Sequence, residues 1–254
     1  MRIILITQNE PFYLAENISY LLKIIPKHSE VVAAVVAKPS PFGKKENFLN
    51  KVTRTYKIFG MKFFLYYSIK FILNSFRKYK SLNFVLKKNS IKKIQLNKSI
   101  NHKESIELIK SYKPDLLVSI LGNEIFKKPI INLAKQGCLN LHTALLPKYR
   151  GLMPSFWVLK KDEKFTGVSV FFVDEGIDSG PIIVQKKIEI KNYSQQKLIY
   201  LTKKIGMEAI AEAIDLIKNN SYELIQNDNN EKTYYSFPTR KDVKEFIASG
   251  KRFF

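Results

Sequence analysis

A chain of 254 residues, 45% hydrophobic and 13% aromatic, can bury a sizeable core, which excludes wholesale disorder. Lys and Arg total 43 against 22 Asp and Glu, a net charge of +21 that favours an anionic partner or surface without naming it. The single cysteine, Cys138, excludes an intrachain disulfide framework and any multi-cysteine metal site. With only His28, His102 and His142 present, a histidine-rich metal centre is not expected either, so no metal is predicted.

The N-terminal run Met1 to Thr7 is too short for a secretory leader, and no long apolar stretch lacks a charge. Met61 to Phe76, the most apolar candidate, is interrupted by Lys62 and Lys70. A cytoplasmic protein is the resulting expectation. Residues 3–7 and 31–37 read as buried strands, and Leu14 to Ile25 between them carries helical spacing. Strand, helix and strand in this order open a parallel βαβ unit. Pro39 to Gly43 then breaks the pattern.

From Lys44 to Lys98 there are fifteen Lys and Arg against one acid, Glu46, so this stretch supplies +14 of the +21. Met61, Leu65, Ile69, Ile72 and Phe76 share one helical face, and Lys62, Tyr66, Lys70 and Arg77 fall elsewhere. The stretch reads as a basic helical insertion between sheet elements. Two roles suit it: an amphipathic helix on an anionic membrane, or a helix packed on the sheet with its lysines solvated.

Regular α/β structure resumes with an edge strand at 91–96, a helix at 104–112 and a buried strand at 115–120. A short helix over Lys128 to Lys135 is expected to end at Gln136-Gly137, followed by a strand from Cys138 to His142. Gly167 to Val173 and Ile182 to Ile190 read as strands around the polar turn 174–180. Ser194 caps a long helix to about Lys218. The predicted fold is a Rossmann-like α/β domain, a mostly parallel sheet flanked by helices, over 1–219. A short aromatic appendage follows at 220–254.

Two segments concentrate polar chemistry. In Asn140-Leu141-His142, strand alternation puts Asn140 and His142 on one side, at the carboxyl end where open α/β sheets bind ligands. A carboxamide donates to a developing oxyanion and a neutral imidazole accepts a proton, so the pair suits acyl transfer; it also suits a purely structural role. The second segment, Val173 to Ile183, holds three acids and two glycines, and is either a solvated turn or a loop aiming a carboxylate at the first. In the latter reading Asp178 orients His142 and holds it in the proton-accepting tautomer.

Together, Asn140-x-His142-x-x-Leu145-Leu146-Pro147, Arg150-Gly151, Thr166 to Val170 and Asp174-x-Gly176-Ile177-Asp178-x-Gly180-Pro181-Ile182-Ile183 resemble the formyltransferase family. That family includes glycinamide ribonucleotide, methionyl-tRNA and sugar N-formyltransferases. The resemblance is dense over 137–190 and thin before it. It implies Asn140, His142 and Asp178 as the catalytic trio and 10-formyltetrahydrofolate as donor, with no metal. A substrate primary amine attacks the formyl carbon, His142 takes its proton, Asn140 steadies the oxyanion and Asp178 orients the imidazole. It further implies a pterin held by Asn123, Ile125 and Phe126 on one side and Val173, Asp174 and Gly176 on the other, with Leu145. One departure is Thr143-Ala144, where many members place Pro-Ser or a similar pair.

Around this trio, Lys148 and Arg150 at the mouth are candidates for an acceptor phosphate, and Trp157 for packing or for stacking on the acceptor. About 35 residues follow Lys218, too few for the barrel-like domain a methionyl-tRNA enzyme normally appends. The expected acceptor is therefore a nucleotide- or lipid-linked amino sugar. Methionyl-tRNA and a non-catalytic binding module are the alternatives. Peripheral contact with an anionic membrane through 44–98, and a homodimer, are compatible with this reading.

Overall fold

The computed structural model describes residues 1–38, 47–77 and 81–254; the expected break at 39–43 lies outside them. In chain order the elements are β1 (Arg2–Gln8), α1 (Leu14–Ile24), β2 (Glu30–Ala37), α2 (Phe48–Phe59), α3 (Met61–Phe76) and α4 (Leu82–Lys88). Then come β3 (Lys92–Ile94), α5 (Lys103–Lys110), β4 (Leu116–Ile120), α6 (Lys128–Ile131), β5 (Cys138–His142) and β6 (Arg150–Gly151). The last are α7 (Pro154–Lys160), β7 (Phe165–Phe172), β8 (Ile182–Glu189), α8 (Gln195–Asn219), β9 (Tyr234–Tyr235) and α9 (Arg240–Ala248).

Seven strands form one sheet in the order β3-β2-β1-β4-β5-β7-β8. The first five run parallel, and β7 and β8 are antiparallel additions. The strand order turns back beside β1, as in doubly wound folds, which opens a crevice at the carboxyl edge. Every residue of β4 is buried, as a central parallel strand covered on both faces requires. Alternation divides the core: Ile3, Leu5, Val118 and Leu139 face α1 and α8, whereas Ile4, Ile6, Leu117 and Cys138 face α5 and α6. Asn140 and His142 share the parity of Cys138 and so leave β5 on its side of the sheet.

The structure departs from the sequence reading in three places. α6 ends at Ile131, well before Lys135, and the chain reaches β5 through turns closed by Gly137 at φ +84°. The C-terminal stretch forms β9 and α9, which periodicity did not announce. Val243, Phe246 and Phe253 share one core cluster with Phe156, Trp157 and Leu198.

The third departure concerns only the packed-helix role, one of the two the sequence leaves open for α3. Its periodic apolar face points outward. Tyr66 and Tyr67, with Phe63, point inward instead. Phe63 stacks on Phe59 at 4.3 Å and meets Phe253 edge-on at 5.0 Å, and Tyr66 stacks on Phe254 at 4.3 Å. Aromatic rings bury more area per residue than aliphatic chains and have ring partners in the C-terminal tail, so they outcompete the aliphatic stripe for the interior.

Candidate active site

β5 delivers its polar residues to the carboxyl edge in fixed register, Ser119 of β4 opposite Asn140, and Phe171 and Ser169 of β7 opposite Asn140 and His142. Beyond His142 the chain is pinned by the β7–β8 hairpin. Ser169 Oγ donates to the Ala144 carbonyl (2.8 Å) and accepts from the Leu146 N–H (3.1 Å), and Gln185 Nε2 donates to the Leu146 carbonyl (3.0 Å). This loop brings the Tyr149 carbonyl back to within 2.7 Å of His142 Nε2. A carbonyl only accepts, so Nε2 carries the hydrogen and Nδ1 presents its lone pair.

That lone pair faces Asp178 Oδ2 at 3.5 Å, with both side chains largely buried. Two acceptors at that distance do not bond; a proton placed on Nδ1 turns them into an ion pair. The tautomer is therefore set by the Tyr149 carbonyl, which corrects the expectation that Asp178 sets it. The Tyr149 phenol stays protonated, because burial and its hydrogen bond to Glu163 push its pKa up.

Asp178 is held from two sides and by its own backbone conformation. Its Oδ2 accepts the Gly151 N–H at 2.9 Å. Its own backbone lies in the left-handed region, at φ 49°, which Asp tolerates better than most residues. Asn227 Nδ2 donates to the carbonyls of both Asp178 and Gly180 at 2.9 Å each. Nothing in the spacing of the catalytic segments points to Asn227, because its partners are backbone atoms distant in sequence.

Arg150 serves this scaffold. Its guanidinium is buried, with Nη1 donating to Asn229 Oδ1 and Nη2 to Asn227 Oδ1, each at 2.7 Å. Burial lowers its pKa, and the carboxylates of Asp178 and Asp174 act in the opposite direction. Arg150 thus faces inward, and the expected grip on a phosphate at the mouth is not its arrangement here. Trp157 is also engaged: it stacks on Tyr235 at 4.7 Å and donates Nε1–H to the Ser236 carbonyl at 3.0 Å. Lys148 alone of the three expected acceptor residues is exposed.

Asn140 lines a slot of about 80 Å³ together with Ser119, Gly122, Ile125, Phe126, Phe171, Val173, Gly176, Ile177 and Asp178. Among the described residues its carboxamide has no hydrogen-bond partner, which leaves both N–H groups for a ligand. Walls of apolar side chains and peptide edges with a polar end suit a flat heterocycle. The slot shares Glu124 and Phe126 with a hollow of about 990 Å³ that Asn123, Lys38, Lys51 and Lys98 also line. Asn123 belongs to that wider hollow, where its Nδ2 donates to the Lys38 carbonyl. Leu145 sits outside the slot, its side chain over Gly167. Asp174 turns back on its own loop, accepting from the Gly176 N–H and the Ser179 hydroxyl.

The remaining titratable candidates lie elsewhere. His28 bonds Ser29 and Asp215, His102 caps α5, and Cys138 is buried with its thiol pKa pushed up by desolvation. Among the described residues no three His, Cys, Asp or Glu side chains converge as a metal site.

Fold and site together define a Rossmann-like α/β protein with an amide, an imidazole and a carboxylate meeting at the carboxyl edge of a parallel sheet. The chain belongs to the formyl transferase family, whose model, described as Formyl transferase, matches residues 68–214. The methionyl-tRNA formyltransferase of Kosmotoga olearia is 36% identical over 149 residues, 58% of this chain and 47% of that protein. The one from Thermodesulfovibrio yellowstonii is 40% identical over 114 residues, 44% of this chain and 37% of its own. The chain thus spans about half the length of the curated relatives it matches, or less.

Solved structures share the fold. The phosphoribosylglycinamide formyltransferase of Anaplasma phagocytophilum superposes with a TM-score of 0.64 at 13% identity, covering 93% of this chain and 98% of that one. An N-formyltransferase of Helicobacter canadensis, in complex with folinic acid and dTDP-3-aminofucose, gives 0.59 at 22% identity, covering 95% and 72%.

Proposed function

We propose that the protein transfers a formyl group from 10-formyltetrahydrofolate to a primary amine. The observation that carries this reading is the His142 Nδ1 lone pair, backed by Asp178 at 3.5 Å and set on the same strand as the unbonded Asn140 carboxamide. The amine nitrogen bonds to the formyl carbon, its proton passes to Nδ1, and the bond from the formyl carbon to the donor nitrogen breaks as that nitrogen regains a proton. Asp178 strengthens its hold on the imidazole only once Nδ1 is protonated, so its contribution grows along the reaction. Asn140 donates to the formyl oxygen as negative charge develops there.

The pterin end of the donor belongs in the slot between the 121–126 and 173–177 loops. At about 80 Å³ the slot is smaller than the ~300 Å³ at which ligand pockets begin, so donor entry requires these loops to part. The wider hollow beside it, with Lys38, Lys51 and Lys98, suits the donor's anionic tail.

For the acceptor we propose an amino sugar carried on a nucleotide or lipid diphosphate. A hollow of about 610 Å³ follows β1 at the same edge of the sheet. Phe12, Tyr13, Tyr66 and Tyr200 offer it ring faces, and Arg77 and Lys197 offer charge, a combination matching a base and its phosphates. A second reading, methionyl-tRNA, is favoured by the identity of the curated relatives and by the charge of +21.

Tetrahydrofolate release, followed with nucleotide-linked amino sugars and with methionyl-tRNA, separates them. Turnover with the sugars alone supports the first reading, and turnover with methionyl-tRNA alone replaces it with the second. Donor binding without turnover on any amine overturns both in favour of a binding module.

A further inference from the structure

α3 carries two apolar faces, an inward one of aromatic rings and an outward one that is aliphatic but for Phe76. The inward face is aromatic and is satisfied by Phe59, Phe253 and Phe254. The outward face is Met61, Leu65, Ile69, Ile72 and Phe76, residues 51% to 81% exposed. Leu73, beside this stripe, is 51% exposed as well. A contiguous aliphatic stripe of this length left in water is destabilising unless something covers it.

The charge around the stripe is predominantly positive, with Glu16 of α1 as an acid at the same hollow. No Asp or Glu occurs between Glu46 and Glu104. Lys62 stands exposed on the first turn of α3 and Arg77 just past its last, with Lys57 exposed on the preceding helix. Lys197 of α8 and Arg77 line the same hollow as Ile69 and Leu73.

We infer that this face of α3 docks on an anionic lipid bilayer, lying in the interface plane. The aliphatic residues enter the headgroup boundary, and Lys57, Lys62, Arg77 and Lys197 meet the lipid phosphates. Among the described residues no helix is long and apolar enough to cross a membrane, so contact is peripheral. A second copy of this chain fits less well, since a two-fold contact brings together two faces on which Lys57, Lys62, Arg77 and Lys197 outnumber Glu16. Nucleic acid would answer the cations but leave the aliphatic stripe in water. The face borders the hollow proposed for the acceptor, with which it shares Ile69, Leu73, Arg77 and Lys197, and it leaves Asn140, His142 and Asp178 out, so vesicle binding is read independently of turnover.

The test is co-sedimentation of the full chain with vesicles of phosphatidylcholine and phosphatidylglycerol at 3:1, against pure phosphatidylcholine. Binding is expected to the anionic vesicles, weaker by about tenfold or more on the neutral ones, and to fall as salt rises. Leu65→Glu/Ile72→Glu replaces exposed side chains, so its circular dichroism and Tm should match the parent while binding falls by about tenfold or more. Lys62→Glu/Arg77→Glu should weaken binding to anionic vesicles alone. Absence of pelleting with anionic vesicles at low salt overturns the inference. Equal pelleting of both variants and the parent also overturns it. A dimer that Leu65→Glu/Ile72→Glu dissociates, without vesicle binding, reassigns the face to self-association, and RNA binding lost in the variants reassigns it to nucleic acid.

Discussion

His142 Nε2 and the Tyr149 carbonyl, 2.7 Å apart, decide which nitrogen of the imidazole is basic. The hydrogen is committed to the backbone, so the lone pair on Nδ1 points toward Asp178. Asp178→Asn tests what the carboxylate adds. Asparagine tolerates the left-handed backbone at this position and can still accept the Gly151 N–H, so the fold is retained. It cannot neutralise a protonated imidazole. The expected outcome is a loss of about 10²-fold or more in kcat, with donor affinity within about threefold of the parent, measured by steady-state kinetics and calorimetric titration. His142→Ala should lose as much or more.

Asn140 gives a cleaner separation of chemistry from folding. Its carboxamide makes no hydrogen bond among the described residues, so Asn140→Ala should alter stability by less than about 0.5 kcal/mol. If it supplies the donor to the developing oxyanion, kcat falls by about 10²–10³-fold. A Tm equal to the parent's with that loss of rate supports the assignment. An equal rate removes it.

Gly180 answers to a close approach. A Cβ placed there would lie 1.8 Å from the Phe172 carbonyl oxygen, a backbone atom that cannot swing aside. Gly180→Ala should cost about 1–3 kcal/mol by overpacking and displace the loop that carries Asp178. Denaturant unfolding measures the first effect, and a fall in kcat beyond that of an equally destabilised variant elsewhere measures the second.

Much of this architecture was legible from local pattern. β1, β2, β4 and β5 are short apolar runs between polar turns, and the N-cap at Ser194 was readable from residue type; its side chain accepts from the Lys197 N–H. Strand parity placed Asn140 and His142 on one side of β5, whereas the partnership with Asp178 came from the ordered motifs of the family resemblance, because the 174–180 segment read alone suits a solvated turn equally well. What escaped depends on non-local competition. The orientation of α3 turns on whether its aliphatic or its aromatic face finds partners, and those partners, Phe253 and Phe254, lie at the far end of the chain. Arg150 looks like a phosphate ligand until Asn227 and Asn229 are seen to enclose it.

Asp242 ties the C-terminal helix to the rest and makes part of the stability depend on pH. Burial alone would raise its carboxyl pKa. The hydrogen bonds from Thr239 and Lys160 outweigh burial and hold it at about 2. A carboxyl depressed on folding stabilises the folded state above its unfolded pKa of about 3.9 and loses that contribution as pH falls toward 2. The amount is on the order of 2 kcal/mol, since the group is only 22% exposed. Asp242→Asn should therefore lower Tm at pH 5, and the gap from the parent should narrow steeply between pH 4 and pH 2. A gap that stays constant over that window contradicts the assignment.

Asn227 is the residue of the C-terminal stretch that bonds the backbone of Asp178 itself. One amide group satisfies the Asp178 and Gly180 carbonyls and accepts from Arg150, all in a buried setting. Asn227→Ala leaves several buried polar groups without partners, at about 1–3 kcal/mol each. Asn227→Asp is the sharper variant: it keeps an acceptor for Arg150 but sets a carboxylate against two carbonyl oxygens. That repulsion bears on the left-handed turn at Asp178, so the carboxylate should drift from His142 Nδ1. The expected result is a fall of about tenfold or more in kcat with donor KM little changed, because the slot walls at Ile125, Phe126 and Val173 are untouched. If kcat holds while Tm falls, Asn227 supports the fold alone and does not position Asp178.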